Sequence, residues 1–417
     1  MSRTGSLFVL LLLLLCTLLY IYQFDSARYL LKLSHKDKTL AKLSVSDVLS
    51  SLSSDNSFVA TSSEVELDSF DNSLGDIAIN TTKVEGPVQV IVLARMRTGS
   101  TLCGEIFNQN PELFFIFEPL HSFKVLQMSE DDSLEEESTD LLKKLYKCKF
   151  PRMFIQTLAR WSIGKGKSRK ILPICQETDG CAKATPSQFQ RVCTKSGHVV
   201  TKTIRANVKM LKPLIKFHGI NLKILHLMRD PRGTASSRRS YYTPKKRGGP
   251  EGVGKRSLHE LGLLSTSQDS KKNTIPKLCA WMKETLKDAL NKPTWLQDQY
   301  RLVRYEDLAE DPIRLSQHIY DFIGLELPPV VLKWIHNNTE SDNSRSKHQF
   351  STRKNSSRAS TSWRGRLSLE EVLAVQDICG DVMASLGYKK LYTQEELENY
   401  SLPLVEPIKL DKDLMIM

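Results

Sequence analysis

The residues of this 417-residue chain best equipped for chemistry lie in two short stretches. In the first, Arg97-Thr98-Gly99-Ser100-Thr101, a guanidinium, three hydroxyls and a glycine directly follow the apolar, β-branched run of residues 88–94. Such a run favours a buried strand, and the glycine lets the backbone curl so that several N–H groups converge. Residues 102–109 then have the apolar spacing of a helix, whose free N–H groups and dipole point at the same place. A turn of this kind holds an anion, and Arg95 and Arg97 add full charges. The second stretch, Arg229-Asp230-Pro231-Arg232 through Ser237-Arg238, repeats the plan behind residues 222–228. Arg229 is a charged donor, and Ser237 follows about two helical turns later. Alone, the first is also an ordinary strand-to-helix connection and the second an Arg–Asp ion pair. Two such sites at strand ends in one chain argue for a ligand.

The first stretch is not the nucleoside-triphosphate loop. That loop, G-x-x-x-x-G-K-[ST], needs a second glycine and a Lys-Ser/Thr pair, which are absent here. No γ-phosphate and no bound magnesium are implied, which counts against a nucleotide kinase or NTPase.

The positioning elements follow from the apolar pattern. Strands are expected at 88–94, 111–117, 199–204, 222–228 and 301–305, with helical patterns between and after them. The last helix runs through Val372, Val375, Ile378, Val382 and Leu386 and opens on a Ser368/Glu371 capping box. Residues 129–137 read as a solvated acidic loop or a helix start. His226, alternating inside an apolar strand, reads as a core histidine. Alternating strands and helices predict an α/β fold with a parallel sheet and ligands at the strand carboxyl ends.

Composition places the rest of the chain. Residues 4–24 carry no charge and are long enough to cross a bilayer. The bulky, tyrosine-bearing end of this span favours an uncleaved anchor over a signal peptide. Arg3 before it and Arg28 and Lys32 after it leave the orientation open. A serine-rich acidic stem follows to residue 86. Asn80, Asn337, Asn355 and Asn399 begin glycosylation sequons. Excluding Cys16 and Cys103, six cysteines remain, an even number suited to disulfides in a secretory lumen, with metal binding by Cys175 and Cys181 left open. The net charge of +12 resolves into +1 at Arg3, −4 over residues 25–86 and +15 over 87–417. That field favours anionic ligands such as nucleotides or sulfated glycans, and a lumenal location argues against nucleic acid.

Taken in order, the motifs resemble the Golgi carbohydrate 6-O-sulfotransferases, which act on galactose, N-acetylglucosamine or N-acetylgalactosamine. The resemblance spans roughly residues 87–390 and rests on the 97–101 loop with Gly104-Glu105 and 107–111, on Phe117-Glu118-Pro119-Leu120 and on Arg229-Asp230-Pro231-Arg232 with Ser237-Arg238. Arg304-Tyr305-Glu306-Asp307-Leu308, Trp363-Arg364, Cys379-Gly380 and Gly387-Tyr388 complete it. Thr101, Cys103 and Gly233-Thr234 depart from the usual family residues without removing a needed charge.

The resemblance implies a P-loop NTPase-like parallel sheet flanked by helices, and sulfuryl transfer from 3′-phosphoadenosine 5′-phosphosulfate to a sugar hydroxyl without a metal. Arg97, Thr98, Gly99, Ser100 and Thr101 would hold the 5′-phosphosulfate, and Arg229 and Ser237 the 3′-phosphate. Glu118 is the expected base, with His121 second. Lys202 and Arg205 would contact sulfate or acceptor, and Arg353 belongs to a late basic loop. Asn355 cannot easily be both glycosylated and buried beneath that loop. Cys279–Cys379 is the expected disulfide, with two pairs among Cys148, Cys175, Cys181 and Cys193.

The expected organisation is a cytosolic tail (1–3), anchor (4–24), lumenal stem (25–86), catalytic domain (87–392) and C-terminal tail (393–417). This makes a type II Golgi membrane protein acting on glycans of glycoproteins or proteoglycans, with homodimerisation open. The rival is a non-catalytic lumenal binder of acidic glycans.

Overall fold

Five strands, β1 Gln89–Leu93, β2 Leu113–Phe117, β3 His198–Thr203, β4 Leu222–Met228 and β5 Tyr300–Arg304, pair in the order β2-β3-β1-β4-β5, every pair parallel. The computed structural model describes residues 86–123, 132–243, 256–267, 273–339, 355–408 and 414–416. All five expected strands are present, four within about a residue of their sequence bounds and β2 starting two residues later than expected. Residues 1–85, with the apolar span, the stem and Asn80, lie outside the described residues, as does Arg353. Among the described residues no helix is long and apolar enough to cross a membrane.

The strands read as continuous apolar runs because the sheet is covered on both faces. Ile91, Leu93, Phe114 and Ile116 join one core and Val90, Val92, Phe115 and Phe117 the other, the alternation that the strand's two-residue period imposes. Helices α1 Ser100–Asn108, α2 Asp132–Tyr146, α3 Val208–Lys216, α4 Pro231–Tyr242 and α5 Ile275–Leu290 are followed by α6 Tyr305–Glu310, α7 Pro312–Ile323, α8 Ser356–Thr361 and α9 Leu369–Ser385. Further helices lie between them. The first core takes Leu142, Leu211, Met282 and Val375 from α2, α3, α5 and α9, and the second takes Ile106 and Ile319 from α1 and α7. From Asp132 the acidic stretch is the start of α2 rather than a loop.

The Ser368/Glu371 capping box forms as expected. Glu371 does more than cap: its Oε2 accepts from Arg239 Nη1 at 2.8 Å and its Oε1 from the Leu258 N–H at 2.9 Å, tying α9 to α4. Disulfides join Cys279 to Cys379, Cys148 to Cys193 and Cys175 to Cys181, so the last pair is a bridge and not a metal site. Cys103 is buried and free. Beyond residue 392 the described chain still packs on the sheet domain: Val405 bridges to Tyr388, Met415 bridges to Leu302, and Arg364 donates to the carbonyls of Glu396, Leu397 and Asn399.

The second basic stretch is partly structural. Arg232 is fully buried, donates to both Asp230 carboxylate oxygens (2.7–3.1 Å) and to Gln376 Oε1 (2.8 Å), and lies 4.5 Å over the Trp363 ring. Removing one partner strands the other charge in the interior. Arg232→Ala should therefore lower unfolding free energy by about 3–5 kcal/mol in a urea titration; a loss near that of a surface substitution would show that the pair does not hold this corner together.

Candidate active site

A cavity of about 650 Å³ opens at the carboxyl ends of the strands. Each strand delivers a residue to it: Arg97 and Gly99 after β1, Glu118 after β2, Arg205 after β3, Arg229 after β4 and Tyr305 after β5. This is where an open parallel sheet places a ligand, because helix N-termini and strand-end loops converge there.

The turn after β1 is held in an unusual conformation. Arg97 has φ 72° and Gly99 φ 94°, both left-handed. A non-glycine residue there costs about 1–3 kcal/mol and persists only where its surroundings enforce it. Here they do: Arg97 Nε donates to Ser237 Oγ at 3.0 Å, and the Arg97 carbonyl accepts from Arg229 Nη1 at 3.1 Å. The two anion grips read from sequence are thus one connected unit. Gly99 is required for a second reason, since a Cβ there would lie 2.1 Å from Tyr305 Cδ2. The same ring carries the Arg229 guanidinium 4.3 Å above it. Burial first, and then the charge of Arg229, pulls the Arg97 pKa below its ordinary value.

Two buried donors in cavity-lining residues, Arg229 Nε and Ser236 Oγ, have no hydrogen-bond partner among the described residues. Buried polar groups are normally paired, so an unpartnered pair at a cavity fits a site completed by an anionic ligand. Gly233 keeps that corner open: a Cβ there would stand 3.1 Å from Arg229 Nε and 3.3 Å from Trp363 Cδ1.

Glu118 lies on the cavity wall in left-handed conformation (φ 51°) and is 4% exposed. It does not stand alone. Lys202 Nζ is 2.6 Å from Oε1 and Arg205 Nη1 2.5 Å from Oε2. The two residues expected to touch sulfate or acceptor are therefore partners of the expected base. Burial lowers the Lys202 pKa, and Glu118 opposes that shift. His121 shares the 3-10 turn Pro119–Ser122 and lines the cavity with its ring stacked on Trp161.

Ser100, Thr101 and Ser237 line the cavity. Thr98 does not: it is 1% exposed and its hydroxyl donates to the Arg95 carbonyl at 2.8 Å, closing the turn. Arg95 also turns away, donating to the Ile204 carbonyl and stacking over Trp281. The sharp turn at Arg97 separates these directions. His226 is a core residue, its Nδ1 2.7 Å from the Tyr300 hydroxyl and its pKa pushed down to about 3 by burial and then by Arg95. Asn355 lines the cavity and caps α8, whereas Asn337 and Asn399 are exposed. Sequence reading gave no site role to Ser236, Trp161, Arg358 or Arg366, which line the cavity. Ser236 was discoverable as the hydroxyl beside Ser237; Trp161, in a segment without a motif, carried no signal.

Behind the cavity, Glu306 accepts from the Asp230 N–H at 3.2 Å and the Tyr388 hydroxyl at 2.7 Å. Burial first, then the Asp230 carboxylate, raises its pKa to about 7. A carboxyl raised above its unfolded value of about 4.3 binds protons in the fold that it releases on unfolding. Its contribution is complete below about pH 4.3 and is lost as pH rises through about 7. Relative to Glu306→Gln, wild-type stability in urea titrations should fall across that window by as much as ~1.4 kcal/mol per pH unit. A difference that stays constant with pH would show that the carboxyl is ionised throughout.

Comparison with known proteins gives this cavity its chemistry. Residues 87–387 match the Sulfotransferase domain family. Carbohydrate sulfotransferase 1 of Danio rerio is 31% identical over 82% of this chain and 87% of its own length. Carbohydrate sulfotransferase 2 of Homo sapiens is 31% identical, over 77% and 69% respectively. Among solved structures, a sulfotransferase domain from the Curacin biosynthetic pathway is 14% identical with a TM-score of 0.40, covering 73% of this chain and 99% of that one. The family domain spans most of the described fold, including the loops that build the cavity, and the chain belongs to the carbohydrate sulfotransferases, enzymes that transfer a sulfuryl group to carbohydrate.

Proposed function

We propose that the chain transfers the sulfuryl group of 3′-phosphoadenosine 5′-phosphosulfate to a sugar hydroxyl, the 6-hydroxyl of galactose, N-acetylglucosamine or N-acetylgalactosamine, on glycoprotein or proteoglycan glycans. The observation that carries this reading is the charge of the cavity: Arg97, Lys202, Arg205, Arg229, Arg358 and Arg366 line it, against Glu118 as the one acid among the described lining residues. A donor with two separated anionic groups matches that excess. Arg97, with the N–H groups of the 99–101 turn at the start of α1, would hold the phosphosulfate end. Arg229, Ser236 and Ser237 would hold the 3′-phosphate.

The donor supplies an activated sulfur–oxygen bond; the chain supplies position and charge. Arg97 and the α1 N-terminus are placed to bind negative charge growing on the bridging oxygen as that bond breaks and the acceptor oxygen bonds to sulfur. Glu118 takes the hydroxyl proton at a carboxylate oxygen, and Lys202 and Arg205 hold that carboxylate in place until then. The apolar span at residues 4–24, the acidic stem and the lumenal sequons support a type II anchor in the Golgi membrane with the sheet domain in the lumen.

A radiolabelled-sulfate transfer assay on a glycan panel, with calorimetry of adenosine 3′,5′-bisphosphate binding, tests the assignments separately. Arg229→Ala should weaken bisphosphate binding by about tenfold to a hundredfold, the worth of a hydrogen bond to a charged group. Glu118→Gln should leave that binding intact and lower kcat by about 10²–10⁴. Full transfer activity in Glu118→Gln would remove the carboxylate from the chemistry, and unchanged bisphosphate affinity in Arg229→Ala would remove the arginine from the donor site.

A further inference from the structure

The stretch of cavity wall adjoining Glu118 differs in character from the basic donor side. His121, three residues after Glu118 on the same 3-10 turn, stacks on Trp161 with ring centroids 3.6 Å apart and planes 6° from parallel. Phe117 packs against Trp161 at 5.8 Å, tilted by 35°, and Ile163 completes an apolar patch in the cavity lining. The position of the indole is built in. Trp161 is extended (φ −120°, ψ 90°), sitting between the helices Arg152–Arg160 and Ser162–Gly166, and Gly164 packs so closely that a Cβ would come within 2.3 Å of Trp161 Cε3. An indole left partly exposed at a cavity, and backed by glycine, phenylalanine and histidine, is placed for an outside contact.

The chemistry of the wall identifies what it contacts. Aromatic faces carry negative charge density, and the axial C–H groups of a pyranose ring form a weakly positive apolar face. The donor's adenine is also able to stack on an aromatic wall, but this wall adjoins Glu118, the group assigned to the acceptor hydroxyl, and not Arg229 and Ser236, the groups assigned to the donor's 3′-phosphate. We propose that the stacked His121–Trp161 pair is the platform for the acceptor, against which one pyranose ring lies so that its hydroxyl reaches Glu118. This inference rests on the sulfuryl-transfer reading above, with Glu118 as base.

The test compares wild type with Trp161→Ala, Trp161→Phe and Gly164→Ala. The acceptors are an oligosaccharide of alternating galactose and N-acetylglucosamine and one of alternating glucuronic acid and N-acetylgalactosamine. Binding of adenosine 3′,5′-bisphosphate reports on folding and on the donor side. Trp161→Ala should raise the acceptor KM about tenfold, the worth of a lost stacking contact, with bisphosphate affinity within twofold of wild type. Trp161→Phe should recover most of the loss, and Gly164→Ala, which displaces the ring without removing it, should raise KM as well. Unchanged acceptor KM in Trp161→Ala, with wild type active, overturns the platform. A Trp161→Ala protein that no longer binds the bisphosphate shifts the decision to Trp161→Phe and Gly164→Ala, where bisphosphate binding kept and KM unmoved in both overturns it equally. Failure of wild type to sulfate either oligosaccharide while binding the bisphosphate would instead overturn the reading on which the platform rests.

Discussion

The site depends on the contact between Gly99 and the Tyr305 ring. At van der Waals distance from an aromatic face there is no room for a Cβ, and the left-handed backbone at Gly99 costs an L residue energy in addition. The ring that excludes the Cβ also supports the Arg229 guanidinium, which donates to the Arg97 carbonyl. One side chain at the end of β5 therefore fixes the loop after β1 relative to the loop after β4. These three strands are neighbours in the order β1-β4-β5, so the contact runs across the sheet end and not along the chain.

Collecting cations at that end carries an electrostatic cost. Arg229 lowers the pKa of Arg97, and Arg97 and Arg205 both lower that of Lys202, so each guanidinium or ammonium makes its neighbours harder to keep charged. The fold offsets this in two ways. Glu118 directly neutralises the β2–β3 side. On the β1–β4 side the acceptors include neutral groups of the described residues, the Ser237 hydroxyl for Arg97 and the carbonyls of Arg97 and Ala359 for Arg229. Among the described residues, direct carboxylate compensation of the lining cations is thus found on the Glu118 side of the cavity, where two cations face one acid.

Sequence legibility follows from the range of the interactions. The strands were readable because both sheet faces are buried and the runs are unbroken, and the α9 capping box because its two partners are three residues apart. His226 was readable as core from its place in such a run. The partners of Glu118 were not readable, since Lys202 and Arg205 lie 84 and 87 residues away and meet it only because β2 pairs with β3, out of chain order. Thr98 and Arg95 were assigned to the anion grip by adjacency alone. Their true directions follow from the left-handed step at Arg97, which breaks strand periodicity and leaves no mark on composition. On α4, Ser236 and Ser237 differ by one helical step of about 100°, so both reach a cavity at the helix start and sequence spacing could not rank them.

The asymmetry of charge has a consequence for binding order. If the donor carries its anionic groups to the Arg97–Arg229 side, as proposed, it adds negative charge within reach of the Lys202–Glu118–Arg205 cluster. Two cations there already face one carboxylate, so the added charge meets a cluster with one cation in excess. The same cluster before donor binding has a net positive charge and holds Glu118 more tightly as an ion pair. A donor bound there would offer Lys202 and Arg205 a second anion in competition with Glu118, which favours a donor that arrives before the acceptor.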